Sequence, residues 1–547
     1  MNKTPIALAA LLAISASADV SVSKVFASNM VLQRDKPVPV WGKAAPGEEV
    51  KVSFAGQNLS AKANDAGEWQ VEFKPLKMSK EGAELVVAGP ANTNLFKNVL
   101  VGDVWVCSGQ SNMEMTFGWG VYDGDKFKAE SAQFPTIRRM KIRKCTKPAP
   151  EAYDVPVDSP WTVASNAFPH ITATGYFFAR KLTQEMDIPI GLIDDSWSGC
   201  AIEPFISPEG FHMVPALSES ANKLDAISPA TEKGRAALEK TIADTRKWLE
   251  MAETCLAERK MPSSQPPQFP TAGNLCGQYN WMISPITRFP IKGAIWYQGC
   301  TNGGDGDIYA DKTEALVLGW RKAWGYEFPF YWVQLASYTA ATDDPAGGNG
   351  YARIRDAQRK AMRIPKTGMA VAIDVGNPTD IHPKAKLFVG ERLALWALAK
   401  DYGKNIVCSG PLVKGGAVEP AGLDADFARV RVSFDYTGSG LMAGKKDWKN
   451  NDPVEEDVEA GGKLKGFALQ GADGKWHWAD AAIDGKDVVV SSPDAPEPIA
   501  VRYAFRANPM GRCNLYNKEG LPASPFSIKV ATSARETAQC LRGGLAS

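Results

Sequence analysis

Val101-Gly102-Asp103-Val104-Trp105-Val106-Cys107-Ser108-Gly109-Gln110-Ser111-Asn112-Met113-Glu114-Met115 is the stretch that decides how this chain is built. Residues 104–107 are four consecutive apolar side chains, the pattern of a strand buried on both faces, and the small polar run 108–112 reads as a turn after it. That turn delivers Ser111 to the end of the strand. If a helix begins near Asn112, its free backbone N–H groups point at whatever Ser111 attacks, as an oxyanion requires. A serine in such a turn also serves as a helix cap, so its role depends on the groups that other loops bring to it. The Gly-x-Ser-x-Gly elbow is only half present, with Met113 where the second glycine would stand, which argues against an α/β-hydrolase.

Outward from this stretch the pattern is strands alternating with helices from residue 101 to 402, which implies a parallel sheet covered on both faces. Buried strands are expected at 104–107, 188–193, 291–297, 330–335 and 369–373, with helices at 175–186 and 384–400. The loops that leave these strands carry the polar residues of interest. Ser111 comes after the first, Trp197-Ser198-Gly199 after the second, Gln298-Gly299-Cys300-Thr301-Asn302 after the third, and Asp380-Ile381-His382-Pro383 after the fifth. Ligands of open α/β sheets bind outside the carboxyl ends of the strands, so these four loops should converge on one crevice. The alternation is interrupted at 205–275, where Leu238, Ile242, Thr245, Leu249, Ala252 and Leu256 mark one face of an amphipathic helix that should lean on the sheet domain or cover the crevice as a lid.

The flanks differ. From 19 to 100, period-two alternation such as Val50-Lys51-Val52-Ser53-Phe54 and closely spaced turns such as Asn64-Asp65-Ala66-Gly67 fit a small β-sandwich. From 403 to 547 the β signals return as a second β-domain, in which Trp476, His477 and Trp478 read as strand residues, with a sugar-binding role as the alternative. Residues 1–18 have the form of a signal peptide, with Lys3, an uncharged apolar run and Ala16-Ser17-Ala18, which predicts a secreted or periplasmic protein.

Composition bounds the class. At 547 residues, 44% hydrophobic and 22% charged, the chain is ordinary globular material for about three domains. A net charge of +1 without a long basic run makes nucleic acid or anionic membrane an unsuitable main partner. Nine cysteines without a Cys-x-x-Cys pair and only four histidines give a zinc or haem site little support. Cys200 and Cys300 directly follow the second and third loops, so they can form a disulfide across the crevice only if their Cα atoms lie within about 7 Å.

A serine hydroxyl needs a base, and a histidine base needs a carboxylate to fix its tautomer. His382 is the base best placed for this, with Asp380 as the orienting acid and Asp374 as the fallback. Tetrahedral charge would then meet the N–H groups of Ser111 and Gly199 and a side-chain amide from Gln298 or Asn302.

These residues carry a resemblance. Cys107-Ser108-Gly109-Gln110-Ser111-Asn112-Met113-Glu114, Trp296-Tyr297-Gln298-Gly299 with Thr301-Asn302, and Asp380-Ile381-His382-Pro383 resemble the blocks of the sialate O-acetylesterase family, a branch of the SGNH hydrolases. Asn29-Met30-Val31-Leu32-Gln33 and Val40-Trp41-Gly42 resemble its N-terminal β-module, and Asn514-Leu515-Tyr516-Asn517 with Gly520-Leu521-Pro522-Ala523 its C-terminal end. The resemblance implies a flavodoxin-like sheet and a metal-free serine esterase that removes acetyl groups from sugar hydroxyls. Ser111 would be its nucleophile, His382 its base, and Gly199 with Gln298 or Asn302 its oxyanion donors. Two positions depart from the pattern: Cys300 stands where the family has Glu, and Thr379 where many SGNH enzymes have the acid. The implied substrate is an acetylated glycan, from sialic acid or from a plant polysaccharide such as xylan. A glycan-binding protein that kept the fold without activity is the reading of another class.

Overall fold

Parallel strands set the centre of this molecule, and in most of them burial follows from apolar runs that leave no polar face. The structure, a computed structural model, describes residues 19–146, 151–164, 170–348, 350–421 and 427–531. The expected leader at 1–18 lies outside the described residues. We number the strands of the central layer β1 (Thr93–Gly109), β2 (Ile137–Ile142), β3 (Val157–Val163), β4 (Ile190–Ser196), β5 (Gly293–Tyr297), β6 (Phe330–Gln334) and β7 (Thr367–Val371). The helices that bear on the site are α1 (Ser111–Glu114), α2 (Ala173–Met186), α3 (Ile308–Trp324), α4 (Tyr351–Lys360) and α5 (Lys386–Asp401). Spatial order is β3-β2-β4-β1-β5-β6-β7, with every neighbouring pair parallel except β3 and β2. From β1 the chain returns to the sheet on one side at β4 and on the other at β5. A crevice opens at such a reversal, between the loops that leave the three strands.

β1 is unusual in length. None of its first six residues is buried, and every residue from Val99 onward is. Its first half pairs antiparallel with Ser79–Ala88 and continues into a parallel pairing with Val31–Gln33, while its second half lies between β4 and β5. The change in composition near residue 100 is therefore a change of neighbours along one unbroken strand. The rest of the N-terminal layer is antiparallel, as its alternating side chains require.

Over the central sheet α2 packs on α5 and α3 on α4. Trp105 of β1 fills the space beneath, with Phe178 and Tyr331 at ring-centroid distances of 4.9 and 6.1 Å. Beyond α5 the chain forms small antiparallel sheets. They are fastened to the central layer by the buried Arg355, whose guanidinium donates to the carbonyls of Leu335, Ala336, Arg506 and Ala507. Trp476 and Trp478 each have a guanidinium over one ring face, from Arg502 at 3.8 Å and Arg506 at 4.3 Å.

The excursion at 205–275 holds three helices, Pro208–Met213, Ser218–Asp225 and Glu232–Ala257. Its expected apolar face is not buried. Ile242, Leu249 and Leu256 are exposed, and Gly234 is the one buried residue of the long helix. The Pro-rich segment after it folds back instead, and its Ser264 carbonyl accepts from the Trp248 indole N–H. No helix among the described residues is long and apolar enough to cross a membrane.

Candidate active site

β1 can deliver a serine here only because it ends in glycine. Gly109 has φ +127°, and a Cβ built on it would stand 2.4 Å from the Tyr297 carbonyl oxygen. α1 starts two residues later with Ser111, whose side chain is nearly buried. The three other loops are tied to this point by hydrogen bonds. The Trp197 N–H donates to the Gly109 carbonyl at 2.9 Å, and the N–H and hydroxyl of Ser198 donate to Glu114 Oε2 at 2.7 and 2.5 Å. The Gly299 N–H donates to Gln110 Oε1 at 3.0 Å, and Asn112 Nδ2 donates to the Ile381 carbonyl at 2.9 Å. The four loops therefore converge, and the residues flanking Ser111 do the fastening.

In the last loop Asp380 Oδ1 lies 3.3 Å from His382 Nδ1 and also accepts the His382 backbone N–H at 2.9 Å. Lys384 Nζ sits 3.1 Å from Asp380 Oδ2. Burial raises the Asp380 carboxyl, but the His382 N–H and the Lys384 ammonium outweigh it and leave it below its ordinary value. The carboxylate holds the ring proton on Nδ1, so Nε2 is the basic atom. Nε2 is buried and has no hydrogen-bond partner among the described residues. Burial pulls the imidazole below its ordinary pKa against the opposing effect of Asp380, and the charge of Lys386 adds to that pull.

Asp374, the fallback acid, is taken by Arg392, with Nη1–Oδ1 at 2.7 Å and Nη2–Oδ2 at 2.8 Å. It is a structural ion pair. The two side-chain amides expected at the oxyanion are also spent. Gln298 Nε2 donates to the Cys200 carbonyl and to Asn302 Oδ1, and Asn302 Nδ2 donates to Glu203 and Asp305. Each amide has two N–H bonds and both are used, so Gln298 and Asn302 brace their loop and do not face the crevice. The N–H groups of Ser111 and Gly199 have no acceptor among the described residues. Gly199 is held at φ +74°, with open space where a Cβ would be.

Cys200 and Cys300 do not form a disulfide. Both are free thiols; Cys200 Sγ accepts from Gln278 Nε2 at 3.1 Å, and Cys300 meets the Tyr351 hydroxyl. What holds the loop around Cys300 is Glu203 with Asp305 and Lys312. One residue not singled out from the sequence completes the site. Lys386, the first residue of α5, is fully buried and donates from Nζ to Asn112 Oδ1 at 2.5 Å. Burial pushes its ammonium down to about 7. It fixes which way the Asn112 amide points, and so how Asn112 grips the His382 loop. A buried lysine four residues after a loop histidine carries no mark in the sequence that separates it from a surface lysine.

Known proteins resemble this chain in sequence and in fold. The family described as carbohydrate esterase, sialic acid-specific acetylesterase matches residues 271–399. The sialate O-acetylesterase of Rattus norvegicus is 30% identical over 422 residues, covering 70% of this chain and 74% of the relative. That of Homo sapiens is 27% identical over 429 residues, covering 70% and 72%. The crystal structure of a carbohydrate acetylesterase from Xanthomonas citri superposes with a TM-score of 0.74 at 31% identity, covering 93% of this chain and 99% of that one. With the rat relative aligned across about three quarters of its length, the chain belongs to the sialate O-acetylesterase family and is an ester hydrolase.

Proposed function

We propose that this protein hydrolyses acetyl esters on sugar hydroxyls with Ser111 as nucleophile, His382 as base and Asp380 as the acid that orients it. The observation that carries the reading is the Asp380–His382 pair at 3.3 Å, with a buried, unpartnered Nε2, in a loop fastened through Asn112 to the residue after Ser111. In this mechanism Nε2 takes the Ser111 hydroxyl proton as Oγ attacks the acetyl carbonyl. The oxyanion is met by the Ser111 and Gly199 N–H groups. The imidazolium returns its proton to the sugar oxygen, which leaves as the alcohol, and an acetyl-serine remains. Water attacks this ester with His382 again as base, and acetate departs. The order β4-β1-β5-β6-β7 supports assigning the central layer to the flavodoxin-like arrangement of SGNH hydrolases, with β-modules at 19–100 and 403–547. Residues 1–18 are proposed as a cleaved export signal, which N-terminal sequencing of the protein from culture medium or periplasm would check.

The relatives' names, sialate O-acetylesterase and carbohydrate acetylesterase, support O-acetylated sialic acid or another acetylated carbohydrate as the substrate, and acetylated xylan is the plant-polysaccharide alternative. Acetate release from O-acetylated sialic acid and from acetylated xylan, measured side by side on purified protein, tests the proposal. Release from neither would overturn it.

The pH dependence follows from His382. The neutral ring is the base, and its pKa is held below the ordinary histidine value of about 6.5. The acid limb of kcat/KM is therefore expected to fall to half below pH 6.5, giving activity in mildly acidic solution that an exposed histidine would lose. A midpoint clearly above that value would contradict the burial argument.

A further inference from the structure

We propose that Trp119 is the platform on which the sugar ring of the leaving group lies, and that this ring is uncharged. This rests on the mechanism above, in which His382 Nε2 must return a proton to the sugar oxygen, so the ring bearing that oxygen lies within a few ångströms of the imidazole. The flat apolar surface at this place is Trp119. It ends the short turn Phe117–Trp119 just beyond α1, its ring centroid is 5.5 Å from that of His382, and it remains 40% exposed.

Exposure of so large an apolar ring needs a reason, and its setting is built to hold it there. Phe117 is buried against Tyr176 and Phe177 and anchors the turn. Lys384 Nζ donates to the Trp119 carbonyl at 2.8 Å while also holding Asp380, which ties the backbone of Trp119 to the loop that carries the base. Gly120 closes the turn at φ +85°. On the far side, Asn451 of the C-terminal module donates to the Tyr122 carbonyl at 3.1 Å and to Asp123 Oδ2 at 2.8 Å, so the same segment is clamped from both ends. Trp478, the other exposed tryptophan among the described residues, has a guanidinium over its ring; Trp119 has none among them. A pyranose presents a face of C–H groups that packs on an indole, and a rigid aromatic with two rotatable bonds loses little entropy in binding it.

The charges facing this segment select against an acidic sugar. Asp123 and Asp447 make no ion pair among the described residues, and Asp380 is the third carboxylate. Asn450, next to the Asn451 that holds Asp123, donates to Asp447 Oδ2 at 3.2 Å, which brings that carboxylate to the same segment. Of the cations nearby, Lys384 is divided between Asp380 and the Trp119 carbonyl, Lys386 is buried on Asn112 Oδ1, and Lys446 is held by the carbonyls of Asp447 and Asn450. A sugar carboxylate would meet three carboxylates here, with the exposed Lys449 as the cation that carries no ion pair among the described residues.

Three esters test this: methyl acetate, which has no ring, an acetylated methyl xyloside, and O-acetylated sialic acid. Trp119→Ala is expected to lower kcat/KM for the xyloside at least about 10-fold more than for methyl acetate, through KM and not kcat, and Trp119→Phe should recover most of the difference. Equal losses on the two esters would mean that Trp119 only props His382 and would overturn the platform, as would no loss on either. A wild-type kcat/KM for the sialic acid ester more than about 10-fold above that for the xyloside would overturn the neutral-ring assignment. Failure of the wild type to hydrolyse any of the three falls on the esterase mechanism itself and is separable from every result above.

Discussion

Ser111→Ala is expected to lower turnover of an acetyl ester by about 10⁶ while leaving the fold intact. Without Oγ there is no acyl-enzyme, and the remaining N–H donors can only polarise a carbonyl that a free water must attack. The structural cost is small because Ser111 Oγ makes no hydrogen bond among the described residues, whereas its neighbours Gln110 and Asn112 hold the loops. Thermal unfolding should coincide with that of the wild type. A variant keeping a tenth of the activity removes Ser111 from the mechanism.

Asp380→Asn is expected to lower turnover by up to about 10⁴ with little change in KM, because an amide beside Nδ1 favours the tautomer that leaves Nε2 protonated and unable to accept the serine proton. Asp374→Asn supplies the contrast. Its carboxylate meets the Arg392 guanidinium at two points in a buried setting, and breaking such a pair leaves a buried charge without its counterion, at about 3–5 kcal/mol of stability. Turnover by the molecules still folded should stay near the wild-type value. Steady-state rates combined with denaturant unfolding separate the two effects. If Asp380→Asn stays within a few-fold of wild type and Asp374→Asn does not, the acid is Asp374.

The parts of the molecule legible in the sequence are those where one side chain's environment follows from its neighbours in the chain. The apolar runs at the start of β4 and through β5 to β7 announce buried parallel strands, and the loops after them announce the crevice. β2 is not legible in this way. Its Arg138, Arg139 and Lys141 read as a solvated segment, yet all are buried, and Lys141 and Arg139 are balanced by Asp194 from the adjacent strand at 2.8 and 3.6 Å. That compensation comes from a residue far along the chain. The same holds in the site. Asp380 and His382 are two residues apart, and their pairing can be inferred from local geometry; the commitment of Gln298 and Asn302 depends on Cys200, Glu203 and Asp305, which only the folded chain brings near. The long helix Glu232–Ala257 is the opposite case: its clean amphipathic period implies a buried face, yet the apolar stripe points outward.

The unbroken run of β1 from Thr93 to Gly109 makes the N-terminal layer a foundation for the Ser111 turn and not an appendage. A chain trimmed to begin at 101, where the composition shifts, would sever this rod in mid-strand. It would take away Val31–Gln33, which braces the rod where it enters the central sheet, and with it the Gln33 amide that bonds Asp103 and the Val104 N–H. Those bonds set how far the strand advances between its two neighbours, and a slip of one residue would turn every side chain over to the other face. The serine at its tip would then be carried away from the point where the four loops are fastened together, although no residue of the crevice had been changed.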